Sequence, residues 1–167
     1  MGKDRFLLGI LLAIAALALL AVILFLTRQS WQQGYVADDT PEGVLRNYVL
    51  ALENKDFQRA YGYLSEGAGK PGYERFRQDF ISLQMGISGT SLQIGETQTI
   101  EKEAIVAVAV IRGGSGPFED TYREPGSALL DRDESGAWKI VRMPNPYWGW
   151  DWYNPQLIKP VPAVPGD

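Results

Sequence analysis

Neither cysteine nor histidine occurs anywhere in the chain. Without cysteine there is no disulfide to brace a fold, so any globular part has to hold on its packed core alone. No lipid can be attached through a lipobox cysteine either. Charge and proline are both missing from residues 6–26, a run of 21 apolar residues from Phe6 to Leu26 that closes just before Arg28. At ~1.5 Å per residue a helix of that length rises about 31 Å, the thickness of a bilayer's hydrocarbon layer. Fifteen of the 21 are Leu, Ile, Val or Phe, which favours insertion by roughly 5 kcal/mol. The run exceeds the roughly 7 to 15 apolar residues of a cleaved signal peptide, and residues 27–37 offer no small-x-small cleavage site. The pattern predicts an uncleaved transmembrane anchor whose first partner is the lipid bilayer.

Lys3 and Arg5 precede the run, whereas after it Arg28 stands alone before Asp38, Asp39 and Glu42. Positive charge stays inside, so the expected orientation is a cytoplasmic N-terminus with the C-terminal part extracytoplasmic. Residues 28–167 carry 14 basic and 19 acidic groups, a balance that speaks against nucleic acid as a partner. The chain divides into five stretches: stub and anchor (1–27), linker (28–39), folded domain (40–143), aromatic-rich segment (144–155) and proline-rich tail (156–167). The dozen linker residues reach at most about 40 Å. Trp31 and Tyr35 within them suit the headgroup region, where a ring is buried while its polar tip stays wet.

Thr40 as N-cap, Pro41 at the first helical position and Glu42 in the first turn open a helix. Val44, Leu45, Tyr48, Val49 and Leu52 give it a buried stripe. Asn54 and Lys55 break that pattern, and Asp56 caps a second helix carrying Phe57, Ala60, Tyr61 and Leu64. Tyr73, Phe76, Phe80 and Leu83 predict a third, ending near Gly86. From Ser88 the period changes to two. Four antiparallel strands are expected at 91–100, 104–112, 118–132 and 137–143, with a glycine-rich turn at 113–116, a polar turn ending in glycine at 133–136 and a bulge or bend in the third strand at Pro125.

Helices leading into a strand meander form an α+β layer. The stretch TPEGVLRNYVLALENKDFQRAYGYLS (40–65), with the closing GAWKIVRM (136–143), resembles the NTF2-like, SnoaL-like superfamily, especially its membrane-attached bacterial members of unknown function. The resemblance implies an NTF2-like (cystatin-like) cone: three helices packed on a curved four-stranded sheet whose mouth binds a small molecule in many members. Enzymes of the family place an Asp or His in the cone as general base. Lacking histidine, this chain offers only carboxylates there, and Asp120 is the candidate, sharing a strand face with Phe118 and Tyr122. A turn-capping, solvated role for Asp120 is the competing reading, and the family's catalytic residues do not carry over.

Along residues 104–112, Ile105, Ala107, Ala109 and Ile111 fall on one face and Val106, Val108 and Val110 on the other. Helices covering one side would leave the valines wet, so a second cover is expected, either a second copy of the protein in a homodimer or the C-terminal segment. That segment, PNPYWGWDWYNP, crowds Tyr147, Trp148, Trp150, Trp152 and Tyr153 into seven residues. Extended, it would present Trp148, Trp150 and Trp152 on one side. It either packs on the domain or recognises a partner such as an envelope protein or a glycan, with Asp151 adding a polar contact. No metal site or cofactor motif is evident. The reading favours a non-catalytic binding or interaction module; a SnoaL-like small-molecule protein or enzyme using Asp120 is the alternative.

Overall fold

A computed structural model describes residues 14–20, 34–82, 86–113 and 121–153. The chain divides into two compact units, residues 1–34 and residues 35–167. In the first, residues 14–20 are helical. Among the described residues no helix is long and apolar enough to cross a membrane. Residues 6–13 and 21–26 of the apolar run lie outside them. Among the described residues, the buried hydrophobic core lies in the second unit.

That unit is α+β. Helix α1 (Pro41–Glu53) starts where the Thr40 hydroxyl accepts the Gly43 N–H at 3.1 Å. Its stripe of Val44, Leu45, Tyr48, Val49 and Leu52 is buried along its whole length. Helix α2 (Phe57–Gly62) is capped by Asp56 accepting from the Arg59 N–H at 3.2 Å. Helix α3 (Tyr73–Ile81) buries Phe76 and Phe80 and ends at Ile81 rather than near Gly86. Leu83 lies outside the described residues.

The sheet is an antiparallel meander in the order β1 (Thr90–Ile100), β2 (Glu103–Arg112), β3 (Tyr122–Arg132) and β4 (Trp138–Arg142). The chain after α2 joins its edge: Ser65 N–H donates to the Ile140 carbonyl at 2.9 Å, and Ile140 N–H to Tyr63 at 2.8 Å. The register is broken between Ile94 and Thr97, where Gly95 lets β2 approach; a Cβ there would sit 3.1 Å from the Ala107 carbonyl oxygen. Pro125 does not bulge β3. Its pairing with β2 runs without a shift from Glu103↔Asp131 to Arg112↔Tyr122. Since β4 pairs only with residues 129–132, Pro125 lies in a stretch of β3 with a single neighbour, where a missing donor is tolerated.

Two expectations about faces are corrected. The valines of β2 point inward, where Val106, Val108 and Val110 join Ala104, Ala128, Leu130 and Ile140 against the helices. The outer face is the one bearing Ile105 (43% exposed) and Ala107. The aromatic segment does not cover that outer face. It lies on the helix side, with Pro144 against Gly126 at 3.3 Å from the position a Cβ would take. The stretch expected as linker, 28–39, touches the domain at Val36. Asn47, fully buried in α1, accepts the Val36 N–H at 2.9 Å and donates to the Val36 carbonyl at 2.8 Å, tying residue 36 to the domain.

Candidate functional site

Two places concentrate chemistry: the aromatic segment and a cavity beside it. Residues 144–153 are not extended. Tyr147 N–H bonds to the Pro144 carbonyl at 3.0 Å and Trp152 N–H to Gly149 at 3.2 Å, so the chain turns twice. Gly149 is required at the second turn because the Trp152 indole lies over it, 2.3 Å from where a Cβ would sit. The turns send Trp148 and Trp152 inward and leave Trp150 82% exposed. The three tryptophans therefore share no face.

Trp152 packs on Phe76 and Phe80 of α3, with ring centroids 5.4 and 6.0 Å away, and its indole N–H donates to Asp79 at 3.1 Å. Trp148 meets Trp152 edge-on at 5.1 Å and stacks on Tyr153 at 5.5 Å. Asp151 pairs with Arg75, and the Tyr153 hydroxyl donates to the Ser65 carbonyl. Tyr147 is completely buried, and its carbonyl accepts the Tyr48 hydroxyl at 2.8 Å. Thr90 gives its own proton to the Ile87 carbonyl at 2.7 Å, so the Tyr147 hydroxyl is the donor in their 3.2 Å contact. Tyr147, Trp148 and Trp152 are core residues, and Tyr153 is partly buried against them.

Burial pushes the phenols of Tyr48, Tyr147 and Tyr153 above their ordinary range. A phenol whose folded pKa is raised contributes stability that is whole below its unfolded value of about 10 and is lost as pH rises beyond it. Tyr48 alone should give a slope of about 1.4 kcal/mol per pH unit above about pH 10. Urea midpoints between pH 8 and 11 are expected to hold level and then fall, with a shallower fall in Tyr48→Phe. A midpoint that stays level to pH 11 would contradict this account of the core.

The cavity, of about 610 Å³, opens where the end of α1, the start of α2, the end of α3 and the approach to β1 converge. Leu52, Phe57, Phe80, Ile81 and Ile87 give it apolar walls; Glu53, Lys55 and Thr90 give it polar atoms. Partial burial raises the Glu53 carboxyl above the usual carboxylate range. The volume falls within the roughly 300 to 1,000 Å³ typical of small-molecule pockets.

None of these cavity residues was a candidate from sequence, though one signal was legible there and a second lies in the backbone. Glu53 places an acid in the last turn of α1, the negative end of the helix dipole. Lys55 holds φ at 58°, a left-handed position that usually takes glycine. Of the candidates that sequence did suggest, Phe118 and Asp120 lie outside the described residues, and Tyr122 is 64% exposed at the start of β3. Among the described residues no group of three or more acidic side chains is placed to hold a metal ion.

No family model and no curated protein matches the chain. Solved structures do. A protein assigned as a calcium/calmodulin-dependent protein kinase type II association domain, from Thiobacillus denitrificans, is 13% identical with a TM-score of 0.47; the match covers 61% of this chain and 90% of that one. One assigned as a ketosteroid isomerase, from Shewanella frigidimarina, is 16% identical with a TM-score of 0.46, over 65% and 96% of the two chains. One assigned as an NTF2-like transpeptidase, from Campylobacter jejuni, is 15% identical with a TM-score of 0.45, over 62% and 99%.

Proposed function

We propose that the protein is a membrane-anchored, extracytoplasmic NTF2-like domain that acts as a non-catalytic binding module for a small, largely apolar component of the envelope. The observation that carries the binding role is the cavity bounded by Leu52, Phe57, Phe80 and Ile87, with a few polar groups at its edge. Mostly apolar walls with sparse polar atoms are the usual make-up of a ligand pocket. Supporting the location are the apolar run at 6–26 and the excess of positive charge before it. The sequence resemblance over 40–143 supports the family. The burial of Tyr147, Trp148 and Trp152 moves the binding role away from the aromatic segment, which serves instead to build the wall behind Phe80.

The test is uptake of a neutral apolar dye, Nile red, by residues 35–167. Saturable one-to-one uptake is expected, abolished by Ile81→Trp, which fills the cavity from a site 51% exposed and so tolerant of a larger ring. No uptake, or uptake indifferent to Ile81→Trp, would remove the pocket from consideration. Protease added to intact cells should digest the domain; digestion only after lysis would overturn the location.

A further inference from the structure

The polar groups of the cavity are of opposite sign. Glu53 closes α1, and Lys55 stands two residues later in the turn to α2, both lining the same opening. Among the described residues neither belongs to any ion pair, although five other pairs form in the domain. An anion and a cation left unpaired at one opening, above apolar walls, complement a ligand that carries both charges and an apolar body.

We propose that the cavity takes a zwitterionic amphiphile, with its apolar part against Leu52, Phe57, Phe80 and Ile87, its cationic group at Glu53 and its anionic group at Lys55. This rests on the binding-module reading of the same cavity. Charge-assisted contacts at the edge of a low-dielectric wall are stronger than the same contacts in open water, so the head group sets selectivity while the apolar walls supply affinity.

The backbone at Lys55 adds a second argument. Its N–H bonds to the Leu52 carbonyl at 3.0 Å and the adjoining Asp56 N–H to Ala51 at 2.8 Å, an arrangement that ends a helix through a left-handed residue. Glycine fills that conformation with less strain than any side-chain-bearing residue. Lysine there gives up conformational ease at a position that lines the cavity.

The test uses residues 35–167 and three octyl amphiphiles of one chain length, each held below its micelle-forming concentration: octylphosphocholine, octyl sulfate and octyltrimethylammonium. Binding is read from tryptophan fluorescence, since Trp152 contacts the cavity wall at Phe80. Octylphosphocholine is expected to bind about tenfold more tightly than either singly charged probe, as charged contacts at both ends are made only by it. Glu53→Gln should shift preference to octyl sulfate, and Lys55→Gly to octyltrimethylammonium. Lys55→Gly should also raise the thermal midpoint, so weaker binding by a more stable protein separates the ligand role from a folding role. Equal affinity for all three probes, or tighter binding of a singly charged one, overturns the zwitterion and leaves the binding module standing. Binding of none also overturns the zwitterion, and the binding module then stands or falls on the uptake of Nile red.

Discussion

A chain ending at Met143 is expected not to fold. Residues 40–143 contain every helix and strand described in the domain, and the sequence alone places a domain boundary there, yet the core is incomplete without residues 144–153. Tyr147, Trp148 and Trp152 are buried to 6% exposure or less. Losing a buried large aromatic destabilises a domain by about 3 to 5 kcal/mol, so losing three removes roughly 9 to 15 kcal/mol, comparable with the whole stability of a domain of this size. The Tyr48 hydroxyl, fully buried, would also lose its partner at the Tyr147 carbonyl. Fragments 35–143, 35–153 and 35–167 compared by amide dispersion in NMR should give a collapsed spectrum for the first and dispersed spectra for the other two. A well-dispersed 35–143 would show that the aromatic segment is an accessory.

Asn47→Ala should be the most damaging single change in α1 that removes no apolar surface. The Asn47 side chain satisfies both the N–H and the carbonyl of Val36. Alanine leaves both peptide groups without a partner in a partly buried place, at about 1 to 3 kcal/mol for each group so stranded. A loss of about 2 to 4 kcal/mol in urea unfolding is expected, with new protease cleavage between residues 35 and 39 at denaturant concentrations where the native chain resists. Asn47→Asp should not rescue it, because a carboxylate can accept from the Val36 N–H but cannot donate to the carbonyl. A loss below about 0.5 kcal/mol, the range of ordinary surface changes, would mean that the Asn47 clamp contributes nothing to folding.

The helix starts were legible because caps act locally. Thr40, Pro41 and Asp56 each satisfy or tolerate a free N–H within three residues, and all three stand where expected. The strands were legible to within a residue or two where alternation is sustained, as in β2 and β4. What alternation could not say was which face of β2 is the inner one. Alanine and isoleucine alternate there with valine, both faces are apolar, and the choice depends on the helices that the valines meet. The aromatic segment misled for a different reason. Its period-two spacing implied an extended chain, but Gly149 opens a tight turn in which the Trp152 indole, three residues on, folds back over it. The cavity was illegible because its lining comes from two stretches of the chain, 52–57 and the residues from Phe80 to Thr90, that only the fold brings together; the acid at a helix C-terminus hinted at it without showing that it faces an opening.

The inward turn at Gly149 also sets the order of events during synthesis. The residues that close the core, Tyr147, Trp148 and Trp152, come after every strand described in the domain and so emerge later than all of them. Until they are available, α1 presents the stripe of Tyr48 and its neighbours to an unfinished interior, so the domain does not close before its strands have been made. The timing of closure is then built into sequence order, with the latch carried behind the sheet it locks.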